Sequence, residues 1–159
     1  SPVWTIITQQ VGDPAFLIDI VAQIRGNSVS SWAREEPADA AVVAMAMCQH
    51  VVSIDWGRRD FQWANQPLRW ALAAALGVAA SGEFGYVEDI ATELFIACER
   101  WDRWDASREV GRWLGSARGE TAEALARAIR RAGAGPYLAR YVELSRASRE
   151  VARELPGTS

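Results

Sequence analysis

The chain has 159 residues, 17 basic and 20 acidic, for a net charge of −3, and half of its residues are hydrophobic. That length fits one ordinary domain with a sizeable core, and the composition excludes a disordered chain or one dependent on metal or disulfide for stability. The longest apolar runs, "AAVVAMAM" and "ALAAALGVAA", fall short of the ~18 residues that a membrane span needs, and with no basic, apolar leader at the start we expect a soluble, cytoplasmic protein.

Residues 1–12 read as an extended arm packing Trp4 and Ile6, because "VWTIIT" has no second strand to pair with. "GDPAFLIDIVAQIRG" predicts a helix: Asp13 caps, Pro14 suits the first turn, Gly26 ends it, and Leu17, Ile20, Val21 and Ile24 form the apolar stripe. A Ser-rich turn follows. "EPADAAVVAMAMCQHVVSIDW" predicts a helix begun at Pro37 and apolar on nearly every face from Ala40 to Ile54, which places it inside a bundle. "QPLRWALAAALGVAA", opened by Pro67, is the second such element, and its alanines permit close helix approach.

"GEFGYVEDIATELFIACERW" is amphipathic, with Val87, Ile90, Leu94, Ala97 and Trp101 on one face and Glu88, Asp89 and Glu99 pointing away. "DASREVGRWLGSA" predicts a shorter helix capped by Asp105 or Ser107. "GETAEALARAIRRAGAG" carries the stripe Leu125, Ala128, Ile129 and Ala132 until its glycines stop it. Pro136 starts the last helix, in which Tyr137, Tyr141, Leu144, Ser148, Val151 and Leu155 form a heptad-like seam. Ser148 weakens that seam, so one antiparallel neighbour suits it better than a long coiled coil. Residues 156–159 read as a flexible tail. The expected fold is all-α, one domain of about six or seven helices around two nearly apolar central ones. A repeat of about fifty residues is a weaker alternative, since the matching residues are few.

The chemical signals are mostly exclusions. Gly82 and Gly85 in "SGEFGY" lack the lysine and preceding strand of a phosphate loop. One His and two distant Cys give no metal-ligand spacing, the Glu-x-x-His pattern of di-metal bundles is missing, and no Ser sits in a nucleophile elbow. No catalytic residue, metal or cofactor is therefore assigned. Cys48 and Cys98 are read as buried, reduced thiols. His50 lies on an apolar helix without an orienting acid on its face, and Cys48, two residues away, points elsewhere, so a structural histidine is the simpler account. In "DWGRRDFQW", Asp55, Arg58, Arg59 and Asp60 either satisfy the end of the central helix or, with Trp56 and His50, line a ligand pocket between helices.

Charge is distributed unevenly. Residues 1–99 hold five Arg against twelve acids, net −7, whereas residues 100–159 hold twelve Arg against eight acids, net +4, with no Lys anywhere. Base composition favouring Arg and Ala codons explains the lysine-free chain most simply; selection for bidentate recognition is the other account. The two parts can also face each other. The densest signal is "RWDRWDASREVGRW", residues 100–113, with three Trp and four Arg. Much of it has a local explanation: Trp101 extends the preceding stripe, and Glu99–Arg103, Asp105–Arg108 and Glu109–Arg112 are spaced as helical ion pairs. Arg108, four residues after Trp104, can cover its ring. What survives is a candidate partner-binding surface of Arg103, Trp104, Arg108, Arg112 and Trp113.

The expected role is a non-catalytic protein-interaction or assembly module, binding a protein partner or a second copy through this Trp/Arg surface and the last helix. The first alternative is an enzyme or small-molecule binder using the pocket near Trp56–Asp60. The second is nucleic-acid binding through the Arg-rich last third, disfavoured by the interleaved acids and a pI near 5.2.

Overall fold

The computed structural model describes residues 29–53, 61–100, 105–133 and 149–154. The expected N-terminal arm, the helix from Asp13, most of the last helix and the C-terminal tail lie outside these residues. The described residues are all-helical, with no strand among them.

Helix α1, Val29–Glu35, occupies the stretch expected as a Ser-rich turn. Serine is a poor interior helix former, and tertiary burial decides the matter: Val29, Trp32 and Ala33 are all in the core. Helix α2, Pro37–Ser53, follows almost without a break. Glu36 N–H donates to the Trp32 carbonyl and the Glu36 carbonyl accepts from Ala40 N–H, so one residue serves both helices. Pro37 takes the first position, where its missing N–H costs nothing, and Asp39 lies in the first turn, favoured by the helix dipole.

Helix α3, Phe61–Ser81, begins six residues before the start expected at Pro67. The expectation took Pro67 for a helix opener; it lies inside the helix, where its ring removes one backbone hydrogen bond. Pro67, Leu68, Ala71, Leu72, Ala74, Ala75 and Val78 are buried, and that burial offsets the interruption. A two-residue turn then reverses the chain into α4, Phe84–Arg100. Gly82 makes the turn, with φ +84 and its N–H donating to the Ala79 carbonyl. A side chain there is strained whatever the space around it.

Helices α2, α3 and α4 pack on one another, and α1 lies against α3 and α2. The two helices expected at the centre therefore touch, and α4 joins them. Helices α5, Asp105–Ser116, and α6, Gly119–Ala132, add to this group from different sides: α5 packs on α3 and α6 on α4. Helix α7, Arg149–Glu154, is the described part of the expected last helix and lies on α6 with Val151 fully buried. The core includes Trp32, Met47, Leu68, Ile90, Leu94, Phe95, Leu114, Leu125 and Ile129. Cys48 and Cys98 are free thiols within it. No helix among the described residues is long and apolar enough to cross a membrane.

Helices α1 and α3 approach closely at Gly77. A Cβ built there would fall on the Ser30 carbonyl oxygen and 2.8 Å from Ala33 Cβ. The obstacle includes backbone, so no rotamer change relieves it. Gly77→Ala is expected to push α1 off α3 and to destabilise the protein by about 2 kcal/mol or more, read as a lower midpoint in chemical denaturation. The exposed Gly85, whose Cβ meets nothing within 4 Å, is the control that should tolerate the same change.

Candidate functional site

Helix α5 carries the described part of the Trp/Arg stretch. Its apolar residues Val110, Trp113 and Leu114, followed by Ala117, recur at the i, i+3, i+4, i+7 spacing and are all buried. Trp113 is only 8% exposed. The opposite face holds Arg108, Arg112 and Ser116, one turn apart and all exposed. Just past the helix, exposed Arg118 donates to the Ala117 carbonyl at 2.7 Å. The helix thus separates what the sequence groups together: the indole of Trp113 faces the core, and the guanidinium groups face water.

The charges of α5 also sort differently from the expected local pairs. Glu109 reaches across to Arg69 on α3, at 3.4 Å, and not along its own helix to Arg112. Arg108 and Arg112 have no ion-pair partner among the described residues, and the expected Asp105–Arg108 pair lies outside them. Trp104 and Arg103, the other members of the candidate surface, lie outside the described residues, as does the side chain of Asp105.

Of the candidate pocket, only His50 is described. It is half-buried near the end of α2, and its carbonyl accepts a 2.8 Å hydrogen bond from Ser53 Oγ. Trp56, Arg58, Arg59 and Asp60 lie outside the described residues. Burial pushes the nearby Cys48 thiol well above its ordinary pKa, and Cys98 and Glu93 push it further. A thiol held protonated in this way is a poor nucleophile. Among the described residues, no three His, Cys, Asp or Glu side chains are placed to hold a metal ion.

Compared with known protein families, characterised proteins and solved structures, the chain has no match. Its sites are therefore read from their own geometry.

Two features escape the sequence. The first is an ion-pair cluster between α4 and α6. Arg127 Nε donates to Glu88 Oε1, while Arg131 Nη1 donates to Glu88 Oε2 and to Asp89 Oδ1, each at 2.8 Å. Glu88 and Asp89, expected to point away into solvent, lie under these arginines, and the Glu88 side chain is only 19% exposed. Arginines four apart on α6 are visible in the sequence as a pattern; the helix they meet is not. The second is an open groove of about 250 Å³ between α6 and α7. Arg127, Arg130 and Arg153 line it with Glu123, Glu150 and Glu154, and Arg130 pairs with Glu154 at 3.5 Å. Three cations and three anions give the groove no preference for either sign. It also lacks the mainly apolar lining of metabolite pockets.

The cluster sets a pH dependence. Burial alone would raise the pKa of Glu88, but hydrogen bonds from Arg127 and Arg131, and their charges, outweigh it and hold the carboxyl below its ordinary value. A carboxyl with a lowered folded-state pKa stabilises the fold in full above its unfolded pKa. That contribution is lost as pH falls through the folded value. Because both arginines are nearly half exposed, screening keeps the effect modest. Glu88→Gln is expected to cost about 1 kcal/mol at neutral pH, a gap that narrows as pH falls through and below the ordinary carboxylate range. Melting curves of both proteins across that range provide the measurement, and a gap that stays constant with pH would refute the assignment.

Proposed function

We propose that this chain is a non-catalytic helical interaction module, a single cytoplasmic domain built on the packed pair α2 and α3, that engages a protein partner through the outer face of α5. The observation that carries this reading is the row Arg108–Arg112: two exposed arginines one turn apart, with no ion-pair partner among the described residues. Other arginines are used within the fold, Arg69 by Glu109, Arg127 by Glu88, Arg130 by Glu154 and Arg131 by Glu88 and Asp89. Arginine is enriched at interfaces because its planar fork binds carboxylates and amides directionally.

The expected surface narrows in two ways. Trp113 belongs to the packing of α5, so Arg108 and Arg112 are the contact residues retained from it. The C-terminal helix contributes less, because Val151 of its seam is already buried with α7 lying on α6. Self-association through that seam is correspondingly disfavoured.

A photo-crosslinking side chain placed at position 112 in the full chain tests the proposal. Irradiation in cells is expected to yield a discrete adduct with another polypeptide. The same group at exposed Glu83, in the α3–α4 turn, should yield none. Absence of any adduct at 108 and 112 would remove the proposal. A parallel pair of variants separates contact from packing. Arg112→Ala should leave stability within about 0.5 kcal/mol, whereas Trp113→Ala should cost about 3 kcal/mol or more.

A further inference from the structure

We infer that the open side of α3, beside α1, is the seat of residues 13–25 of the same chain, which dock there through Leu17, Ile20, Val21 and Ile24. The seat is the stripe Ala73, Leu76 and Ala80, spaced by three and four residues as one face of a helix requires. Ala73 is half-buried and the other two are exposed. Leu76 is 44% exposed; it and Tyr86 are the large hydrophobic side chains left exposed among the described residues. Unlike Tyr86, Leu76 has no polar end to hydrate.

Three observations point to this occupant. Helices α1, α2, α4 and α5 pack on α3, and the stripe is the apolar side of it that they leave open. A helix apolar on nearly every face belongs inside a bundle, with a neighbour on that side too.

The chain also arrives at this place. The Ser30 carbonyl lies where a Cβ on Gly77 would fall, so the first turn of α1 rests on α3 next to Leu76. Around the α3 axis, Ala73, Leu76 and Ala80 lie about 40–100° from Gly77. All three are on the same side of it, along the edge of α1. Gly26, Asn27 and Ser28 join residues 13–25 to α1 at Val29, a link that spans at most about 11 Å.

Finally, the chemistry matches. Leu17, Ile20, Val21 and Ile24 follow the i, i+3, i+4, i+7 spacing of a helix face that needs an apolar surface to cover it. Alanines on either side of Leu76 leave room for such side chains to enter between the ridges of α3. A three-residue tether holds the segment at an effective concentration of about a millimolar or more, which favours it over a second copy or a separate protein.

A diazirine analogue of leucine at position 76 of the full chain reads the occupant directly. The purified protein is irradiated at low concentration, digested with trypsin and mapped by mass spectrometry. Arg25 is the first basic residue, so residues 1–25 are released as one peptide. An adduct to that peptide within a single chain is the expected result. A crosslinked dimer, or no adduct to that peptide, overturns the inference. Melting temperatures of the full chain give an independent reading. Leu76→Asp and Ile20→Asp are each expected to lower the melting temperature by about 4 °C or more. The double variant should fall well short of the sum, because both changes spoil one contact. A Leu76→Asp variant that melts with the wild type, as a merely solvated position would, or strict additivity of the two changes, overturns it as well.

Discussion

The constraint on which the described structure depends is that α4 must be buried from two sides. Val87, Ile90, Ala91, Leu94, Phe95, Ala97 and Cys98 are all fully buried, more surface than a single apolar stripe supplies. Helices α2 and α3 cover one part of it and α6 covers another. Burying a Leu, Ile or Phe side chain contributes about 1.5–3 kcal/mol, against about 0–1 for an exposed ion pair. Packing therefore holds α6 in place. The cluster of Glu88 and Asp89 with Arg127 and Arg131 has the smaller task of choosing its register, since it forms only when the acidic first turns of α4 face the last turns of α6.

Small residues make the other contacts possible. Alanine is the commonest residue on the described buried faces of α2 and α3, and at Gly77 the backbones of α1 and α3 come close enough to exclude even a methyl group. Close backbones compensate for small side chains, because dispersion depends on the density of contacts and not on residue size. It also explains how a segment with two serines becomes helix α1. Trp32 fills the space that small neighbours leave, and its near-complete burial outweighs the weak local propensity of Ser30 and Ser31.

Much of this was legible in the sequence wherever one helix face had to be apolar. The stripes Val87–Ile90–Leu94–Ala97 and Leu125–Ala128–Ile129 read directly from their spacing, and their residues are buried as a periodic pattern requires. Three features were hidden for physical reasons. Helix α1 is shorter than the window over which periodicity accumulates. The start of α3 was masked by Pro67, whose local signal is that of a helix opener while the buried residues after it sustain a helix already under way. The partners of Glu88 and Glu109 lie 39 to 43 and 40 positions away in the chain, where spacing rules for neighbouring turns do not reach. The half-legible case is the Trp/Arg stretch itself. Composition shows both residue types together, but only the packing of α5 on α3 tells which one faces water.

The uneven charge of the chain follows from the same geometry. Acids of the first part and arginines of the last meet across α4–α6, and Arg69 of the first part meets Glu109 of the last across α3–α5. An excess of arginine in residues 100–159 is thus partly consumed inside the molecule. Exposed pairs of this kind are individually weak and screened by salt, so their value is directional. They neutralise the sides of α6 and α5 that face other helices. Exposed Arg108 and Arg112 cost little stability, since both are solvated and a full turn apart.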